Sequence, residues 1–251
     1  MTAYQEAPSL EQPRDIIAQC TELNSTDAIY KNHPIIERFG SPEHPIYIDQ
    51  SNVDINGVSY EQPLIVPIVN GQLAIIQCAV MQDGKRVSVM PDGLAKGFAM
   101  YGDFHHDKPV IIIYSIEAFF KVAQTGYAVA LVVLPTLCNK HQTELKAFDF
   151  EQIQFVINQL SKAGYTKLYL PVRPEHINLE PFQKLEQNTA VRLLNQYLKM
   201  GVNEFYCQLV KDENKAEIQA FIEEAIEQLP KKPQPQPQNK WQQPIPLNQV
   251  S

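Results

Sequence analysis

The stretch Val110–Gly126, VIIIYSIEAFFKVAQTG, predicts a buried strand, a tight junction and an amphipathic helix that ends at a glycine. Its four leading residues are apolar and β-branched, which is typical of a strand covered on both faces. The helix is expected over Ile116–Thr125, and a second apolar run, Tyr127–Leu134, is expected to form the next strand. A strand–helix–strand succession of this kind predicts a parallel sheet with a helical crossover.

The same alternation continues toward the C-terminus. Gly164 and Gly201 follow two of the expected helices, in the position where a glycine often ends a helix. The helices are expected within Thr143–Ala163, Pro181–Met200 and Ala216–Leu229, and the strands over Lys167–Val172 and Glu204–Val210. The predicted fold class is therefore α/β, with a mostly parallel sheet covered by helices over residues 106–230.

A small antiparallel β subdomain is predicted ahead of this unit, over residues 45–105. Strands are expected over Leu64–Val69 and Leu73–Val80, on either side of Asn70-Gly71, which is a strong signal for a two-residue hairpin. Asp83-Gly84 predicts a second hairpin turn before another strand.

The remaining segments are expected to lie outside these two units. Residues 1–44 are predicted to be an N-terminal appendage, and residues 30–62 are rich in turn-forming side chains that favour loops with short strands. Residues 231–251 alternate proline with glutamine, and such a segment cannot build a packed core. A disordered tail is therefore expected there.

Composition limits the classes of protein that the chain can belong to. It has 251 residues, 44% of them hydrophobic, with a net charge of −7. A free-standing binder of duplex DNA usually has a basic surface instead. The four cysteines are far apart and form no CxxC pair, which argues against a zinc ribbon or a disulfide scaffold. With neither an apolar leader nor a long apolar run, the chain is expected to be cytoplasmic, without a membrane partner.

Four blocks of residues occur in order within roughly residues 40–210. They are His44–Ile48, Leu64–Gln77, Asp83–Gly97 and Lys108–Gly126. Together, their order and spacing resemble the Toprim region of phage- and plasmid-type DNA primases, including the primase half of primase–helicase proteins. The resemblance implies a Toprim-like fold and a role in the replication of a phage, plasmid or other mobile element.

The resemblance also identifies positions where this chain departs from the family. Active Toprim enzymes hold Mg²⁺ with a glutamate after the first strand and an Asp-x-Asp pair after the third. Here the glutamate position falls near Ile113, and Arg173-x-Glu175 stands at the acidic pair, so a cation replaces a metal ligand. The departures imply lost metal chemistry and no cofactor. If the ligands have moved instead, Glu117, Glu175 and Asp212 are the candidate catalytic residues, with Mg²⁺ as the cofactor.

Three basic residues lie on or beside the second hairpin: Lys85, Arg86 and Lys96. The resemblance places them along the nucleic-acid path, since basic side chains can neutralise phosphates without reading bases. A solvated hairpin face is the alternative. The partner implied is single-stranded DNA or a replication protein.

Three functions follow as hypotheses. The first is a divergent, catalytically inactive Toprim primase-like protein that binds nucleic acid or a protein partner. The second is an active metal-dependent primase-type nucleotidyltransferase with relocated ligands. The third is an antagonist that uses a Toprim scaffold to bind another protein. A fold alone does not decide between them.

Overall fold

The computed structural model describes residues 13–24, 26–42, 44–134, 145–173, 176, 179–185, 190–194 and 215–229. These residues form a ten-stranded mixed sheet with helices and a separate two-stranded antiparallel sheet. The predicted α/β fold class is confirmed.

The elements are numbered in chain order. The strands are β1 (Thr21–Leu23), β2 (Ile46–Ile48), β3 (Asn52–Ile55), β4 (Val58–Glu61), β5 (Leu64–Val69), β6 (Ile75–Met81), β7 (Ser88–Met90), β8 (Phe98–Tyr101), β9 (Val110–Ile113), β10 (Ala128–Leu131), β11 (Leu168–Leu170) and β12 (Val191–Leu193). The helices are α1 (Pro13–Gln19), α2 (Ala28–Lys31), α3 (Pro34–Phe39), α4 (Ile116–Ala123), α5 (Ala147–Lys162), α6 (Glu180–Leu185) and α7 (Lys215–Glu227).

Four parallel strands lie side by side in the order β10-β9-β11-β12. All residues of β9 and β10 are buried, as their uninterrupted apolar sequence predicts for strands covered on both faces. Helix α4 connects these two strands and packs on both, with six of its eight residues buried. The strand–helix–strand unit expected from Val110–Leu134 is therefore confirmed.

The antiparallel strands continue the same sheet beyond β10. β8 pairs with β10, β5 pairs with β8, and β6 and β7 follow on the other side of β5. One hydrophobic cluster contains buried residues from both parts, from Leu64 in β5 to Ile112 in β9. The boundary predicted between residues 105 and 106 therefore falls between two regions that share a sheet and a core.

The first hairpin turn is longer than the predicted two residues. Strand β6 begins at Ile75, and the Asn70 side-chain oxygen accepts hydrogen bonds from the backbone N–H groups of Gln72 (2.9 Å) and Ala74 (3.1 Å). Gly71 is required by packing, because a Cβ there would lie 2.5 Å from the Gln159 carbonyl oxygen of α5. The sequence identified Asn70 and Gly71 as turn residues. In the structure the Asn70 side chain fixes the longer turn, and Gly71 allows the close approach of α5.

The helix predicted over Pro181–Met200 begins as expected, but the prediction is wrong at Val191–Leu193, which form a strand. Among the described residues of this segment, helix α6 covers Glu180–Leu185, and β12 pairs with β11 in parallel further along. Val191 and Leu193 are fully buried while Arg192 between them is half-buried, which is the two-residue period of a strand. The leucines of this segment fit a helix in sequence, but pairing with the sheet decides the structure.

Residues 30–62, predicted as loops with short strands, also contain helix α3. Pro34 occupies the first turn, and His33 Nδ1 accepts a hydrogen bond from the Ile35 N–H at 3.3 Å. Ile35 and Ile36 bury the inner face of this short helix. None of the helices in the described ranges is both long and apolar enough to cross a membrane.

Candidate functional site

The carboxyl ends of β9 and β11 meet at the edge where open α/β sheets commonly bind ligands. Ile113 ends β9 with its side chain fully buried, and Tyr114 follows it with only 3% of its surface exposed. A carboxylate at either position would lose its hydration, which costs several kcal/mol without a compensating charge.

Tyr114 joins the two strand ends. The Arg173 backbone N–H donates a hydrogen bond of 2.8 Å to the Tyr114 hydroxyl, which lies 3.3 Å from His176 Nδ1. The Arg173 guanidinium carbon lies 6.0 Å from the Tyr114 ring centroid. Arg173, which stands at the predicted acidic pair, is therefore a spatial neighbour of the end of β9, where Ile113 stands at the predicted glutamate position and Tyr114 follows it.

Aromatic side chains pack against one another at this edge of the sheet. The His176 ring stacks on Phe182 at 6.0 Å with an interplanar angle of 14°, and Phe150 meets Phe182 edge-on at 5.1 Å. His176 and Phe182 are both buried. Within the described residues, no group of three His, Cys, Asp or Glu side chains is arranged to hold a metal ion.

Glu117 lies in the first turn of α4, where an acidic side chain is favoured by the helix dipole. Its carboxylate is 3.9 Å from Arg38, whose guanidinium also binds Asp83 at 2.6 Å. This network ties α3 to α4 and to the turn before β7. Glu175 and Asp212, the other two candidate catalytic acids, lie outside the described residues.

The three predicted nucleic-acid-binding residues have different surroundings. The Lys85 ammonium donates a hydrogen bond to the Ser59 carbonyl oxygen and lies 5.8 Å from the centroid of the Tyr60 ring. Arg86 and Lys96 are exposed, and neither forms an ion pair with any residue that the structure describes. Lys85 therefore contacts the β3–β4 hairpin, whereas Arg86 and Lys96 have no charged partner in the part of the chain that the structure describes.

Arg86 stands at the rim of a cleft of about 130 Å³. The cleft lies between β7, the loop before β8, the segment after β10 and the start of α5. Its buried apolar residues are Val87, Val89, Ala95, Val133 and Leu134, and its polar residues include Asn56, Asp92 and Gln152. Leu94 and Phe148 also line the cleft, and they are 54% and 38% exposed.

Three glutamine side chains fix the loop that forms one wall of this cleft. Gln152 donates to the Ala95 carbonyl at 2.5 Å, and Gln159 donates to the Lys96 carbonyl at 2.7 Å. Gln77 donates to the Leu94 carbonyl at 3.2 Å and accepts from the Lys96 N–H at 2.8 Å. The loop that presents Leu94 and Lys96 is therefore held from two sides.

Sequence reasoning identified Arg86 and Lys96 but missed Leu94 and Phe148. A signal for Phe148 was present, because it lies off the apolar stripe of Ile153, Val156, Ile157 and Leu160 that buries α5. A large aromatic residue away from the buried stripe is exposed unless something covers it. Leu94 lies in a loop, where no periodicity predicts exposure.

Comparisons of the chain with protein family models, curated proteins and solved structures gave no match.

Proposed function

We propose that this is a divergent Toprim primase-like protein without metal-dependent catalysis that binds single-stranded nucleic acid during replication of a phage, plasmid or other mobile element. The main support comes from the positions where the resemblance expects carboxylates: Ile113 is fully buried, and Arg173 binds through its backbone N–H to Tyr114, the residue after Ile113. A guanidinium repels Mg²⁺, and the isoleucine at the other position offers it no oxygen ligand. The setting in replication follows from the sequence resemblance.

The nucleic-acid part of the proposal rests on positive charges that have no ion pair among the described residues and that lie beside exposed apolar side chains. Arg86 and Lys96 are available to phosphates, and Phe148 and Leu94 lie close to them in the cleft and its wall. Proteins that bind single strands without sequence preference combine cationic grooves with aromatic side chains for stacking. The net charge of −7 makes such binding a local property of this surface.

The absence of a metal site is tested by thermal unfolding with millimolar Mg²⁺ or Mn²⁺. A cation that binds only the folded state raises the melting temperature by mass action. Because the proposal includes no metal site, we expect no shift in melting temperature. Glu117→Gln is the test variant and Glu151→Gln, on the exposed face of α5, is its control. A shift that Glu117→Gln removes and Glu151→Gln keeps would support the active enzyme with relocated ligands instead.

Single-strand binding is tested by fluorescence anisotropy with a labelled oligothymidylate at about 50 mM and about 200 mM salt. Two phosphate contacts give a slope of about −1.4 in log K against log salt, or about a sevenfold loss of affinity over this range. No binding at the lower salt concentration would overturn the nucleic-acid function and favour a protein-binding role for the same surface.

A further inference from the structure

We propose that the cleft beside Arg86 holds one base of a single DNA strand, with the base stacked on Phe148 and a neighbouring phosphate at the Arg86 guanidinium. This inference rests on the proposed function and gives it a specific site. Nothing in the sequence resemblance implied Phe148 or this cleft.

The size of the cleft favours a small planar group. Its volume is about 130 Å³, whereas pockets for whole drug-sized ligands are roughly 300–1,000 Å³. A complete nucleoside triphosphate is therefore too large, but one base can enter while its sugar and phosphate remain outside. This is the arrangement expected for a single DNA strand that runs across the surface of the protein.

The chemistry of the walls also suits a base. The floor is apolar, formed by buried side chains of β7 and the segment after β10. Phe148 is partly exposed and makes no ring contact within the described part of the chain, so a face of its ring is available for stacking. Stacking on an aromatic side chain contributes to binding with any base.

The charged side chains at the cleft determine how the bound DNA strand is oriented. Arg86 is exposed at the rim with no ion pair among the described residues, and Lys96 follows the two cleft-lining residues Leu94 and Ala95. Asp92 is the carboxylate among the lining residues, and it accepts hydrogen bonds from Asn56 Nδ2 (2.7 Å) and the Gly93 N–H (2.8 Å). Because Asp92 repels phosphate, the backbone is expected on the Arg86 side of the cleft.

One wall of the cleft is already fixed in the free protein. The glutamine contacts from β6 and α5 hold the wall that contains Leu94 and Lys96. Since less ordering is then needed on binding, more of the contact energy appears as affinity.

Phe148→Ala tests the stacking contact in the full-length chain, again with labelled oligothymidylate at low salt. We expect a loss of affinity of about 5- to 150-fold, the range for removal of one base stack. Phe155→Ala is the matched control, because Phe155 is 41% exposed and lies seven residues further along α5 on the same face, beyond the cleft. We expect this control to change the affinity less than twofold.

Arg86→Gln tests the phosphate contact, with Lys162→Gln at the far end of α5 as its control. We expect the slope of log K against log salt to become less steep by about 0.7 in Arg86→Gln and to stay unchanged in Lys162→Gln. Both substituted side chains are exposed, and melting temperatures within a few degrees of the parent chain would establish that the variants fold.

The outcomes separate this site from the general function. If the parent chain binds the oligonucleotide and Phe148→Ala binds equally well, the cleft assignment is overturned while the nucleic-acid function stands. Equal losses in Phe148→Ala and Phe155→Ala would place the strand along the outer face of α5, which also overturns it. If the parent chain does not bind, both proposals fail.

Discussion

Tyr114 and Tyr101 are both buried tyrosines, and their hydroxyl groups have opposite surroundings. The Tyr114 hydroxyl accepts a hydrogen bond from the Arg173 backbone N–H at 2.8 Å. The Tyr101 hydroxyl has no hydrogen-bond partner in the described part of the chain, although its ring stacks on Phe119 at 5.2 Å. Burial raises the pKa of Tyr101, so this phenol stays neutral. One hydroxyl stabilises the fold, and the other loses its hydration without compensation.

The pair predicts opposite effects of the same substitution. Tyr114→Phe leaves a partly buried N–H without its acceptor and should lower the free energy of unfolding by about 0.5–1.5 kcal/mol. Tyr101→Phe removes a buried unsatisfied hydroxyl, keeps the ring, and should leave stability unchanged or raise it by up to about 1 kcal/mol. Urea denaturation of the two variants beside the parent chain measures both. An unchanged stability of Tyr114→Phe would show that the Tyr114 hydroxyl does not connect the strand ends as described, and a destabilised Tyr101→Phe would show that the Tyr101 hydroxyl has a partner.

At the scale of elements, local signals predicted the structure well where they were unopposed. The run VIII, the glycine after α4 and the turn residues before β6 each favour one local structure, and the strands and helix formed there. The segment Val191–Leu193 was different, because its side chains fit either a helix or a strand. Its pairing with β11, which is distant in sequence, decides the outcome.

One part of the candidate site could be predicted from the sequence, and the other part could not. The resemblance predicted Ile113 at the glutamate position and Arg173 at the acidic pair, and in the structure Arg173 contacts Tyr114, the residue after Ile113. The cleft could not be predicted, because its walls come from β7, a loop, the segment after β10 and α5, and only the folded sheet brings them together.

A strand at β12 predicts a two-residue pattern of sensitivity to mutation. Val191 and Leu193 are fully buried, so Val191→Ala and Leu193→Ala should each destabilise the protein, with about 2–5 kcal/mol expected for the leucine. Arg192→Ala between them should change stability by less than about 0.5 kcal/mol. Chemical denaturation of the three variants checks the pattern. A large loss for Arg192→Ala with little loss for Leu193→Ala would contradict the strand.

At the scale of the whole molecule, the continuous sheet determines how the chain unfolds. β8 pairs with β10 through Tyr101 and Val129, and the Tyr101 ring packs against Phe119 of α4. Antiparallel strands before residue 105 and parallel strands after it therefore complete each other's core. Two regions that share a sheet in this way have no independent surface along which to separate.

We therefore expect calorimetry to show one unfolding transition for the chain. A destabilising substitution in either region should lower the temperature of that single transition. Leu64→Ala in β5 and Ile112→Ala in β9 each remove a fully buried side chain, at a cost of about 2–5 kcal/mol. For a chain of this size each should lower the melting temperature by roughly 4–20 °C, while Glu151→Ala on the exposed face of α5 should leave it in place. A cooperative core melts as one unit. Two transitions, with each substitution lowering the temperature of only one of them, would therefore establish residues 45–105 and 106–230 as separate domains despite the sheet that they share.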